Sequence, residues 1–346
     1  MERRELLQHL AALGISISPA AHALEAIQAS VGRTFEESEH RISHWEEIAL
    51  EYGYIYLAAP PEQFITDVAA DLVSLRLITR HIPEDAAVYR EWCRIGSTLS
   101  GLMAKALSNL GHSREARHWW QTAQTASDRS GDLDTRLWVR GERLIHGLYE
   151  QRPPQLLVRQ ADEAINLACG YVCRGLMQTH AGRAQALVLA GRGGEAEAEL
   201  TLAAQVFDRL PPSVTNDVDS VYGQGEDRLR YTETWVYAHS GKTAKADAAA
   251  QRAMQLYPSS DYRSPAQINL LQAVARTSAG DVTEGIRHAQ ATYEVLHAAH
   301  RTTMVTNLAR RVLHPIPPGQ YAHPTVMAYR ELVSLPGSPS GKAIQS

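Results

Sequence analysis

Ala238-His-Ser-Gly241-Lys-Thr-Ala-Lys-Ala246, continued by Ala250 and Ala253, reads as the end of one helix, a glycine turn and the start of a second. Three other stretches repeat it. Asn109-Leu-Gly-His-Ser-Arg-Glu-Ala116 continues to Trp120 and Ala123, and Leu187-Val-Leu-Ala-Gly191-Arg-Gly-Gly-Glu-Ala196 to Leu200 and Ala203. Ser278-Ala-Gly280-Asp-Val-Thr-Glu-Gly285 continues to Ala289. Each turn glycine stands five residues before a small residue. Twelve residues before that one stand Ala104, Ala184, Thr234 and Ala273. Small side chains at both positions let two antiparallel helices approach closely, and glycine allows the tight turn.

Working outward, the glycines are 80, 50 and 39 residues apart. The first gap predicts two units of about 40 residues, with an irregular one around Gly141 and Pro153-Pro154. Apolar residues at i, i+3, i+4 and i+7 follow one another along the chain, alternation is essentially absent, and Pro or Gly falls between the periodic stretches. The expected fold is all-α: a right-handed superhelix of stacked antiparallel helix pairs, a tetratricopeptide-like solenoid. Residues 1–34 are expected to be capping helices, 35–300 the repeats, 301–336 C-terminal caps and 337–346 a disordered tail. Glu36–Leu57 and Glu62–Thr79 should form a hairpin over Pro60-Pro61. The insertion Pro211–Asp227 is expected at a binding rim.

The 346 residues carry 34 Lys+Arg against 38 Asp+Glu, a net charge of −4, which argues against bulk electrostatic capture of nucleic acid. No stretch reaches the apolar length of a membrane span. Three cysteines make no disulfide framework, and Glu2 and Glu5 interrupt any leader-like start, so a cytoplasmic protein is expected.

Ala246, Ala250, Ala253 and Pro258 match the second helix of a tetratricopeptide unit, with Ala250 in place of an aromatic residue and Tyr237 at the first-helix aromatic position. With Trp45, Tyr52-Gly53-Tyr54, Pro60 and the helix around Asp71, and with the glycine turns in order, residues 1–335 resemble the tetratricopeptide region of actinobacterial transcriptional regulators. In that family it usually follows a helix-turn-helix domain of the phage-repressor class, and Met1-Glu-Arg-Arg-Glu-Leu-Leu is similar to the joining segment. No such domain is expected before Met1. The resemblance implies a sensor or interaction module in gene regulation, with no catalytic residues and no direct nucleic-acid binding.

Local motifs add little chemistry. Ser240-Gly241-Lys242-Thr243 has half of a phosphate-binding loop, but Val236 stands where its first glycine belongs, so a hairpin turn is expected. Cys169 and Cys173, four apart with His180 beyond, are expected as buried thiols on one helix face. His40/His44 and His297/His300 lack a carboxylate partner motif and read as solvated or packed. Arg310-Arg311, with Arg301 and the scattered Arg3, Arg4 and Arg33, are expected on solvated faces. Trp92, Trp119 and Trp120 are expected in the core.

The sharper expectation is a concave wall lined by first helices: Thr98, Lys105 and Asn109; Trp138 and Glu142; Gln178 and Gln185; Arg228, Tyr231, Trp235 and His239; and further on Gln267 and Thr277. Amides, hydroxyls and aromatics with two cations suit a peptide, a small molecule or a partner protein, with no cofactor, no metal and no membrane, and with a possible homodimer. A ligand-independent adaptor is the alternative.

Overall fold

The computed structural model describes residues 38–257 and 261–334. The expected capping helices before residue 34 and the tail 337–346 lie outside the described residues. Among these, all regular structure is helical. The helices are α1 Ser38–Ala58, α2 Pro61–Thr79, α3 Ala87–Asn109, α4 Ser113–Ser130, α5 Leu133–Tyr149, α6 Pro154–Ala168, α7 Arg174–Leu189, α8 Gly193–Phe207, the short α9 Pro212–Thr215, α10 Glu226–His239, α11 Thr243–Met254, α12 Arg263–Ser278, α13 Val282–Val295, α14 Thr303–Arg311 and α15 Pro324–Ser334. Proline opens α2, α6 and α15, where its missing N–H is no loss.

The turns are built alike. Gly241 has φ 66° and Gly280 φ 95°, the left-handed region that closes a helix end. At Gly241 the glycine N–H donates to the Ala238 carbonyl at 3.1 Å, and the next N–H, of Lys242, donates to Tyr237 at 2.9 Å. The same pair of bonds closes α3 at Gly111, α7 at Gly191 and α12 at Gly280. It also closes α5, where the left-handed residue is Gln151, φ 56°: its N–H donates to Leu148 and that of Arg152 to Gly147. Gln151 lies 40 residues from both Gly111 and Gly191. The segment that reads as irregular is therefore a regular hairpin with glutamine in the glycine place.

Small residues mark the crossings, as expected. Ala104, Ala116, Ala184, Ala196, Thr234, Ala246, Ala273 and Ala289 are fully buried. A Cβ added to Gly285 would stand 2.6 Å from Thr277 Cγ2 and 3.0 Å from the Ala273 carbonyl oxygen, so α13 lies directly on α12. In the α5/α6 hairpin the sizes are exchanged: Gly147 on the first helix receives Leu157 of the second, whose Cδ2 lies 2.8 Å from where a Cβ would be.

The described chain forms two compact units, 38–143 with Asp217–Gly223, and 144–216 with the described residues from Gln224 onward; the division falls within α5. The first unit has its own core of Trp45, Phe64, Ile65, Trp92, Leu99, Trp120 and Trp138. Asp217–Gly223 is not a rim loop. Ser220, Val221 and Tyr222 are buried, Val221 N–H donates to the Gly53 carbonyl at 3.0 Å, and the Tyr222 hydroxyl donates to the Ala49 carbonyl at 2.7 Å. A Cβ at Gly53 would come within 2.3 Å of the Tyr222 ring, so the residue is glycine for room alone.

In the second unit, first helices α7, α10 and α12 pack each on the next, and α12 packs on α14. Leu187, Trp235, Leu271 and Leu308 belong to one continuous core. Cys169 and Cys173 do not share a helix face as expected: Cys169, exposed, ends α6 at φ 47°, and Cys173, buried, precedes α7.

Candidate functional site

The wall positions expected from sequence fall into two groups, one in each unit. In the first unit, Lys105 Nζ and Glu142 Oε2 form an ion pair at 2.6 Å with both residues buried. Lys105 also lies 5.4 Å from the centre of the Tyr56 ring, whose hydroxyl accepts from Asn109 Nδ2 at 2.7 Å. Trp138 packs against Tyr222, ring centres 5.5 Å apart, and against Gly101. Half-buried Thr98 returns its hydroxyl to the Arg94 carbonyl. Lys105, Trp138 and Glu142 are interior, while Thr98 and Asn109 are partly exposed.

In the second unit, Gln178 and Gln185 of α7 are buried, Gln185 with Oε1 unpaired, and Arg228 is partly exposed. Tyr231, Trp235 and His239 are four apart on α10 and share one face. Trp235 is 0% exposed, which corrects the expected exposed wall: α14 lies over it. Two residues four apart on α14 tie it to α5. Asn307 Nδ2 donates to the Tyr149 carbonyl at 2.9 Å, and Arg311 donates through an Nη to the Leu148 carbonyl at 2.6 Å. Those carbonyls are at the C-terminal end of α5, where a helix has unsatisfied acceptors and partial negative charge.

Arg311 is thus buried, 6% exposed, and not on the solvated face expected of it. Its Cζ stands 5.3 Å from the centre of the Trp235 ring, a cation on an aromatic face. His239 stacks on Trp235 as well, with ring centres 4.8 Å apart at 28°. Tyr149 meets Trp235 edge-on at 5.6 Å, and its hydroxyl shares a hydrogen bond with that of Tyr231. Burial holds both phenols protonated, well above their ordinary range. Burial first, and then the Arg311 charge, push the His239 imidazole down to about 3. Neutral His239 donates from Nδ1 to its own helix carbonyl at Trp235, 2.9 Å, which leaves Nε2 as an acceptor.

Arg311 is therefore the charge in this cluster, and among the described residues no carboxylate lies within ion-pair distance of it. Its Nε, Trp235 Nε1 and His239 Nε2 are all buried without a hydrogen-bond partner. Unpaired buried polar atoms are uncommon in native interiors, and here the guanidinium's own Nε and two ring nitrogens beside it are among them. A neighbouring polar network differs: His180 and Arg183 bind Glu199, and Arg183 also binds Asp162 at 2.7 Å. That network is internally satisfied and ties α6, α7 and α8.

The sequence reading reached Tyr231, Trp235 and His239 but missed Tyr149, Asn307 and Arg311. A signal existed: Arg311 lies three residues beyond Leu308, at the edge of the apolar stripe Val305–Leu308–Val312. Two surface clefts lie elsewhere, one of about 370 Å³ lined by Val282, Ile286, Gln320 and His323, the other of about 330 Å³ by Tyr89, Cys93, Gln121 and Arg129. Among the described residues no three His, Cys, Asp or Glu gather as metal ligands, and no helix is long and apolar enough to cross a membrane. Comparison with known proteins finds no matching family model, no matching curated protein and no matching solved structure.

Proposed function

We propose that the chain is a non-enzymatic helical-repeat sensor: a right-handed superhelix of stacked antiparallel pairs that binds a small ligand and passes its state to a partner protein in cytoplasmic gene regulation. The observation that carries the ligand is the cluster around Arg311, a buried cation among aromatic rings with three unpaired nitrogens. Its protonated phenols and neutral imidazole suit holding a guest and not moving protons at neutral pH. The regulatory setting rests on the resemblance of the glycine-turn hairpins to the tetratricopeptide region of transcriptional regulators. Native mass spectrometry of freshly purified protein tests the reading: a retained small molecule, lost in Trp235→Phe while helicity is kept, is the expected result. A bare mass in every preparation, with no small molecule shifting the melting temperature, would sink it.

A ligand-independent adaptor has its own support in the first unit. Leu50, Tyr54, Ile55 and Leu57 of α1 are exposed, a patch suited to a protein partner. Substituting Leu50 and Ile55 with Ser would abolish partner capture in that case and leave ligand binding unchanged.

A further inference from the structure

We infer that the guest of the Arg311 cluster is a small aromatic monocarboxylate, held by its carboxylate on Arg311 and by its ring among Tyr149, Tyr231 and Trp235. This inference rests on the proposed sensor site and names its ligand class.

Charge is the first argument. Arg311 is buried with a backbone carbonyl as its hydrogen-bonding acceptor and an aromatic face beside it. A guanidinium presents donors in a planar fork matched to a carboxylate, and a single carbonyl oxygen occupies one arm of that fork. The unpaired Nε is the second arm. Trp235 Nε1 is a further donor, suited to the same anion; it cannot accept, so a cationic or donor-only guest leaves it unpaired. His239 Nε2, an acceptor, adds a place for a hydroxyl or N–H on the guest.

Shape is the second argument. Tyr149, Tyr231 and His239 each pack on Trp235, with rings at 72°, 40° and 28° to it, and Arg311 lies on the same indole. Such a set of faces and edges suits a flat apolar body. A single negative charge fits best, since one cation faces the guest and the phenols and imidazole around it are uncharged. Entry requires α14 to lift, because the cluster is closed beneath it. A carboxylate on Arg311 competes with the Leu148 carbonyl for the same donors, so binding also loosens the tie between α14 and α5. That gives the guest a structural effect which a partner protein can read.

The test uses the full chain with three probes of similar size at matched ionic strength: benzoate, its neutral isostere benzamide, and the cation benzylamine. Calorimetry and tryptophan fluorescence should show saturable benzoate binding at least about tenfold tighter than benzamide, and none of benzylamine. Arg311→Gln should erase the benzoate preference. Should that variant fail to fold, Arg311→Lys keeps the charge without the fork, and the comparison among probes on the unmodified protein decides alone. Equal affinity for benzoate and benzamide, or benzoate binding unaffected in a folded Arg311→Gln, would overturn the carboxylate assignment. A neutral or cationic molecule retained in native mass spectra and lost with Trp235→Phe would do the same while leaving the sensor reading standing. Failure of all probes together with a bare mass removes both.

Discussion

Gln151 holds at φ 56° the place that Gly111, Gly191, Gly241 and Gly280 hold in the other hairpins, and the substitution Gln151→Gly isolates what that conformation costs. A left-handed backbone costs an L-residue with a side chain roughly 1–2 kcal/mol. Glycine's extra freedom in the unfolded chain returns roughly 0.4–1 kcal/mol. Gln151 is exposed, so little packing is lost, and the net gain should be about 1 kcal/mol or somewhat less. The reciprocal change is Gly191→Gln. No atom lies within 4 Å of a Cβ built there, so its cost is conformational as well and should be about 1 kcal/mol in the opposite sense. Urea unfolding followed by far-ultraviolet circular dichroism measures both. With a slope of about 3 kcal/mol/M, the midpoints should move by about 0.3 M in opposite directions at unchanged slope. A neutral or destabilising Gln151→Gly beside a destabilising Gly191→Gln would show that the Gln151 side chain contributes something the turn geometry does not contain. If both changes were neutral, the left-handed turn would not be the determinant of these hairpins.

Acid should weaken the fold through His239. Its folded value of about 3 lies below the ordinary 6.5, so the unfolded chain binds the extra proton and stability falls as pH drops from about 6.5 towards 3. At pH 5 the loss from this residue is about 2 kcal/mol, and His239→Gln should remove that part of the pH dependence. His288 and His314 are also held low, chiefly by burial, so a shallower decline should persist in that variant; an unchanged profile would show that His239 charges freely in the native state. Gly53→Ala should cost about 1–3 kcal/mol by driving a methyl into the Tyr222 ring, and Tyr222→Ala should make the same glycine change nearly neutral in a double-mutant cycle. Lys105→Met takes the cation from buried Glu142 and should cost about 3–5 kcal/mol, while the double change with Glu142→Leu should recover most of it; additive losses would mean the two charges do not depend on each other.

The hairpins were legible because their determinants are local. A helix end, a left-handed glycine and a small residue five positions on lie within one short window, and the bonds at Gly111, Gly191, Gly241 and Gly280 confirm each of them. The α5/α6 hairpin escaped because two of those marks are absent from it: Gln151 supplies the left-handed residue, and the small residue of the crossing is Gly147 on the first helix. Tyr231, Trp235 and His239 were legible as one face of one helix. Their burial was not, since it depends on α14, which is distant in sequence. The role of Asp217–Gly223 was hidden for the same reason. Its Gly and Asp content reads as a surface loop, while Tyr222 finds its partner only at Gly53 and Ala49.

Asn307 and Arg311 change what kind of object the second unit is. In a simple array each helix pair touches its neighbours alone, and the last pair feels only the one before it. Here α14 also binds carbonyls at Leu148 and Tyr149, four hairpins back in the chain. Its closure therefore caps the end of α5 with both side chains and sets one of them, Arg311, on the Trp235 ring of α10. A buried guanidinium costs several kcal/mol in lost hydration. The helix end returns up to about 2 kcal/mol and the Trp235 face a similar amount. These gains approach the cost without clearly exceeding it, so Arg311 is a poor choice if closure were its whole purpose. A Met or Leu in its place would fill the space with no charge to bury. The Nε, Nε1 and Nε2 atoms left unpaired around it sharpen the point, because each adds a further cost that an apolar core avoids. The proposed anionic guest, which takes donors from the α14–α5 tie and partners the unpaired nitrogens, would account for the cation, the rings and those nitrogens together.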